Sequence, residues 1–87
     1  MARVFIPPQW RDLTDSASEV TLPGNTLRKI LTALTEKYPK LSERILDRGE
    51  IASSIAVSID GDLTPQGLFA PVEMDSEVHF LPAIGGG

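Results

Sequence analysis

Cysteine is absent from the chain, which removes disulfides, thiolate nucleophiles and soft-metal sites together. His79 is the one histidine, so a histidine metal cluster and a catalytic pair of histidines are excluded as well. Lysine is scarce: Lys29, Lys37 and Lys40 all lie in or just after one helix-like segment. The net charge is −4, and nothing supplies the clustered Lys and Arg with which a sequence-independent nucleic-acid binder displaces counterions. No apolar run approaches the roughly 20 residues of a membrane span. No charged-then-apolar signal opens the N-terminus. These absences predict a cytoplasmic protein with neither a nucleic-acid nor a membrane partner. They also leave a poor inventory for ordinary enzyme chemistry.

What is present is ordinary globular composition, 41% hydrophobic and 23% charged, over 87 residues. That is enough for one small domain with one core. Arg3-Val4-Phe5-Ile6 reads as an opening strand, ended by Pro7-Pro8 because proline cannot donate to a ladder. Residues 9–18 are polar and turn-rich. Glu19-Val20-Thr21-Leu22 alternates at period two and stops at Pro23-Gly24, giving a second strand antiparallel to the first.

Asn25 or Thr26 then supplies an N-cap. Leu27, Ile30, Leu31, Leu34 and Tyr38 follow at i, i+3, i+4, i+7 and i+11, one apolar stripe on a helix that Pro39 ends. Residues 41–47 read as a short helical turn returning Leu41 and Ile45 to the core. Ile55-Ala56-Val57-Ser58-Ile59 is the clearest strand, and Asp60-Gly61 signals a tight turn. Residues 67–72 are expected to add a short edge segment. Residues 77–81 form the last strand, with Val78 and Phe80 facing away from His79.

This order predicts an α+β fold, a mixed sheet of four to five strands with one main helix packed across one face. By fold-level analogy it is the β-grasp, or ubiquitin-like, arrangement, with the first and last strands paired in parallel at the centre. The expected organisation is a domain over residues 1–84 and a flexible tail over 85–87.

The tail is Gly85-Gly86-Gly87, directly after the apolar run Val78-His79-Phe80-Leu81-Pro82-Ala83-Ile84. Glycine loses the most backbone entropy on ordering and has no side chain to pack, so the tail does nothing for stability. A Cβ-free carboxylate on such a stalk threads a narrow channel and offers an attacking group little hindrance. A chain whose own C-terminus reacts needs that. The competing reading is a frayed end or a linker.

Five stretches carry a resemblance over nearly the whole chain. They are Val4-Phe5-Ile6-Pro7-Pro8, Thr26-Leu27-Arg28 through Tyr38-Pro39, and Leu41-Ser42-Glu43-Arg44-Ile45-Leu46-Asp47. Ala56-Val57-Ser58-Ile59-Asp60-Gly61 and the ending from Asp75-Ser76-Glu77 to Gly87 complete the set. Together they resemble ubiquitin-like sulfur carrier proteins. That family includes the small subunit of molybdopterin synthase, the thiamine sulfur carrier and the cysteine-forming sulfur carrier.

The resemblance implies a carrier or co-substrate rather than an enzyme. Its C-terminal glycine is adenylated and then converted to a thiocarboxylate that donates sulfur in biosynthesis. The reacting carboxylate falls on Gly87, with Gly85 and Gly86 as its stalk. The third glycine departs from the family's usual final pair, so a trimmed chain would react at Gly86 instead. No cofactor is bound; ATP is consumed by the partner, a ubiquitin-activating-type adenylyltransferase, and a sulfur-accepting synthase is the second partner. Two alternatives share the chain: a ubiquitin-like modifier joined to targets through the same glycine, and a plain β-grasp binding module.

His79 as a general base competes with a solvent-facing sheet histidine, and no nucleophile or metal partner stands beside it in the pattern. Glu73, Asp75 and Glu77 lack the spacing of a calcium loop and read as a solvated turn. Trp10 reads as a cap on one end of the core, with an interface anchor as the competing reading. Phe5 and Leu81 fall on the sheet face opposite the helix, where two large apolar residues make a patch unless the N-terminal loop covers them. With Ile84 at the base of the stalk, they are the candidate partner-binding residues.

Overall fold

A computed structural model describes residues 1–63 and 66–82. Strand β1 (Ala2–Phe5) alternates buried Ala2 and Val4 with outward Arg3 and Phe5. The polar stretch that follows is not irregular: Pro8–Leu13 winds into a 3₁₀ turn that carries Trp10 into the core against Phe80, ring centroids 5.2 Å apart. Strand β2 (Glu19–Leu22) then runs antiparallel to β1.

Helix α1 (Leu27–Lys37) starts at Thr26, whose side-chain oxygen accepts from the Lys29 N–H at 3.3 Å. Its stripe of Leu27, Ile30, Leu31 and Leu34 is fully buried, and it stops at Tyr38 before Pro39. A 3₁₀ turn over Pro39–Leu41 and the short helix α2 (Ser42–Ile45) bury Leu41 and Ile45 as the spacing predicts. The helical turn does not extend through residue 47. Leu46–Asp47 (β3) pairs with Glu50–Ile51 (β4), because Arg48 and Gly49 take positive φ of +55° and +80° and close a hairpin.

Strands β5 (Ile55–Ile59), β6 (Asp62–Leu63) and β7 (Glu77–Pro82) complete the main sheet. Its order is β2-β1-β7-β5-β6, with β1 and β7 parallel at the centre and every other pair antiparallel. One face buries Val4, Val57, Val78 and Phe80 under α1. This is the β-grasp arrangement, with five strands.

The fifth strand is not where the sequence pattern places it. Residues 67–72 hold a 3₁₀ turn over Gly67–Phe69, and Pro71 makes only an isolated bridge to Thr26. The edge strand is β6, because Asp60 and Gly61 both adopt positive φ, +54° and +88°, and reverse the chain straight out of β5. Among the described residues no helix is long and apolar enough to cross a membrane.

Candidate functional site

Strand β7 is held between β1 and β5, and its alternation sorts side chains onto two faces. Val78 and Phe80 go under the helix; Glu77, His79 and Leu81 go to the other side. Register decides what they meet there. Phe5 is opposite His79 across the parallel pair, and Ser58 and then Leu63 continue the same row on β5 and β6. Ala56 lies opposite Leu81.

The row is closely packed at its centre. The Phe5 ring and the His79 imidazole stack with centroids 4.4 Å apart and planes 4° from parallel. The Arg3 guanidinium lies 5.5 Å from the Phe5 ring centroid, within cation–π range, and pairs with the Glu77 carboxylate. The other Glu77 oxygen is 3.5 Å from His79 Nε2. His79 is therefore a packing partner on an open face, half-exposed.

Leu81 is 43% exposed and Leu63 63%. The N-terminal loop does not cover them, because its one large aromatic, Trp10, has gone to the Phe80 side of the sheet. Phe5 and Leu81 thus share one apolar face with Ala56 and Leu63, two residues that sequence reasoning did not add. Their membership follows from cross-strand register, which one chain's alternation does not reveal.

The start of β7 is fixed by a hydrogen-bond network that the sequence pattern showed only as a turn. Asp60 Oδ1 accepts from the Glu77 N–H at 2.9 Å, and the Ser76 hydroxyl donates to Asp60 Oδ2 at 2.7 Å. Ser76 Oγ accepts in turn from the Glu73 N–H, and the Asp60 N–H donates to the Glu77 carbonyl, both at 2.9 Å. These bonds, first the Glu77 N–H and then the Ser76 hydroxyl, hold the Asp60 carboxyl below its ordinary value. Glu73, Asp75 and Glu77 belong to this solvated turn, and no metal-binding group of carboxylates and imidazoles occurs among the described residues.

Ile84, Gly85, Gly86 and Gly87 lie outside the described residues. The last described residue of the face is Leu81, and the described chain ends at Pro82.

A sequence model of the ThiS family matches residues 4–87. No curated protein matches the chain by sequence. Among solved structures it is similar to CysO of Mycobacterium tuberculosis, described as an antigen, at 25% identity and a TM-score of 0.88, over 97% of this chain and 100% of that one. It is similar to the small archaeal modifier protein 1 of Methanosarcina acetivorans at 26% identity and a TM-score of 0.83, over 99% of this chain and 95% of that one. A chain of the Amycolatopsis orientalis BexX/CysO complex shares the fold at a TM-score of 0.90 and 24% identity, each chain covered in full at 100%.

Proposed function

The chain belongs to the ThiS family of β-grasp sulfur carriers and ubiquitin-like modifiers, and we propose that it carries sulfur as a thiocarboxylate on Gly87. Sulfur carriers of this family are non-catalytic and bind no cofactor. The observation that carries the proposal is the family match running unbroken from the first strand through the glycine run.

In this reading a ubiquitin-activating-type adenylyltransferase docks on the face bearing Phe5 and Leu81, with Ile84 at the stalk's base. The Gly87 carboxylate attacks the α-phosphorus of ATP and releases pyrophosphate, which converts a poor acyl electrophile into an acyl adenylate. A hydrosulfide equivalent then adds at the carbonyl carbon. The C–S bond forms as the bond to AMP breaks, leaving the thiocarboxylate. Its sulfur is delivered to an acceptor held by a synthase, in the biosynthesis of molybdopterin, cysteine or another thio-metabolite. The chain supplies recognition and delivery, and its partners supply the catalytic groups. The domain over residues 1–84 serves recognition, and residues 85–87 serve reaction.

A second reading, conjugation to protein lysines through the same glycine, is favoured by the similarity to the archaeal modifier. Both readings begin with adenylation, so the test takes that step first. Deleting Gly86 and Gly87 should leave the circular dichroism spectrum native and abolish ATP–pyrophosphate exchange by the cognate adenylyltransferase. Exchange at the parent rate would refute a reacting C-terminus. Mass spectrometry of the activated chain then separates the two fates: a sulfur-for-oxygen exchange marks the carrier, and isopeptide-linked peptides mark the modifier.

A further inference from the structure

The end of β7 opens onto a groove of about 200 Å³ on the side of the sheet away from the Phe5–His79 stack. Pro7, Trp10, Ile55 and Pro82 form its apolar walls, and Leu81, which also belongs to the exposed sheet face, forms the lip between the two surfaces. Arg44 is its only charged residue, although the chain has 12 acidic residues against 8 basic ones. Arg44 stands between this groove and a neighbouring one that it lines with Lys40 and Glu43. Among the described residues Arg44 makes no ion pair. This hollow is thus lined without a carboxylate in an acidic chain, and it has an available guanidinium at its edge.

The groove lies close to the reacting end of the sulfur-carrier reading. Five residues, 83–87, lead from Pro82 through Gly87. At about 3.5 Å per extended residue they reach no further than about 18 Å. Any enzyme that reacts with Gly87 therefore brings its own surface to within that distance of the groove. A guanidinium presents a planar fork of donors matched to a carboxylate, and the apolar walls select a hydrophobic neighbour beside it.

We propose that this groove seats a segment of the activating adenylyltransferase in which an apolar side chain lies next to a carboxylate, the apolar group against Trp10 and Ile55 and the carboxylate on Arg44. The proposal rests on the sulfur-carrier reading above, since that reading supplies the partner. Docking then wraps around Leu81, engaging the open sheet face and the groove together, and two faces held at once fix the direction in which the tail leaves the domain.

The test is calorimetric titration of the adenylyltransferase with the intact chain and four variants, Leu81→Asp among them, at low and high salt. Arg44→Glu sets carboxylate against carboxylate and should weaken binding about tenfold or more at low salt, with the gap to the parent narrowing at high salt. Gln9→Glu, a near-isosteric change at an exposed groove residue, should weaken binding in the same salt-dependent way. Arg44→Lys keeps the charge but loses the fork, so it should bind more tightly than Arg44→Glu and less tightly than the parent. Parent-like affinity for both Arg44→Glu and Gln9→Glu, with Leu81→Asp still impaired, would overturn the groove and leave the sheet face as the docking surface. A loss that does not change with salt would overturn the carboxylate assignment. A parent chain that the enzyme does not bind at all would overturn the sulfur-carrier reading, and the groove with it.

Discussion

Phe5 and His79 are stacked face to face, centroids 4.4 Å apart, on the two strands that pair in parallel at the centre of the sheet. The contact ties the first strand to the last. With Arg3 over the Phe5 ring and Glu77 between Arg3 and His79, it forms the stiff middle of the face that α1 leaves uncovered. Leu81 stands one step further along β7, exposed, where the chain leaves for its glycine tail.

That placement makes Leu81 a test of docking rather than of folding. An apolar anchor near the centre of an interface contributes about 2 kcal/mol or more, roughly thirtyfold in affinity. Leu81→Asp should weaken binding to the adenylyltransferase by about that factor while its circular dichroism spectrum and melting temperature stay close to the parent's. Unchanged affinity in a folded variant would remove this face from the docking surface.

Leu31 is 1% exposed beneath the sheet, beside Leu34, Val57 and Phe80. Leu31→Ala removes its transfer free energy and leaves a cavity, together about 2–5 kcal/mol. A small domain has only about 5–15 kcal/mol in total. Chemical denaturation should show a clear drop in midpoint; a midpoint equal to the parent's would mean that the helix does not pack through this residue.

Asp60 links stability to pH. Its carboxyl is held below the ordinary value of 3.8 by the Glu77 N–H and the Ser76 hydroxyl, so the folded state favours the charged form. The stabilisation is therefore present above the unfolded value and is lost as pH falls through the lower, folded one. Asp60→Asn should be less stable than the parent near neutrality, and the difference should shrink as pH drops below about 4. Thermal melts at a series of pH values read this out, and a gap that is constant across the series would contradict it.

Gly24 makes the tightest backbone approach ahead of the helix. Its φ is +142°, and a Cβ there would meet Lys29 Cβ at 2.8 Å and the Ile30 nitrogen at 3.1 Å. Gly24→Ala meets both a disfavoured conformation and a clash with helix backbone, and should destabilise by roughly 1–3 kcal/mol. A melting temperature equal to the parent's would show that the Pro23-Gly24 turn relaxes without loss.

Much of this protein is decided locally, and those parts were legible in the sequence. The stripe from Leu27 to Leu34, the Thr26 cap and the Pro39 stop define α1, because helix periodicity and end chemistry act within a few residues. Alternation does the same for Glu19–Leu22 and Ile55–Ile59, and it placed Phe5 and Leu81 on the face opposite the helix. The glycine run marks the C-terminus without reference to the fold. The Asp60-Gly61 turn was legible too, but not the Arg48-Gly49 turn or the strand that follows Asp60-Gly61. The positive φ of Arg48 and Asp60 created β3–β4 and moved the edge strand to Asp62–Leu63, outcomes set by hairpin closure rather than by composition. The remaining features needed the tertiary structure. Arg3 and Glu77 meet across 74 residues of sequence, and the Phe5–His79 stack lies in the same parallel register. Which of Ala56, Ser58 and Leu63 joins that face, and that Trp10 turns to the core and leaves it open, depend on long-range pairing. No periodicity within a single segment encodes which segment will lie beside it.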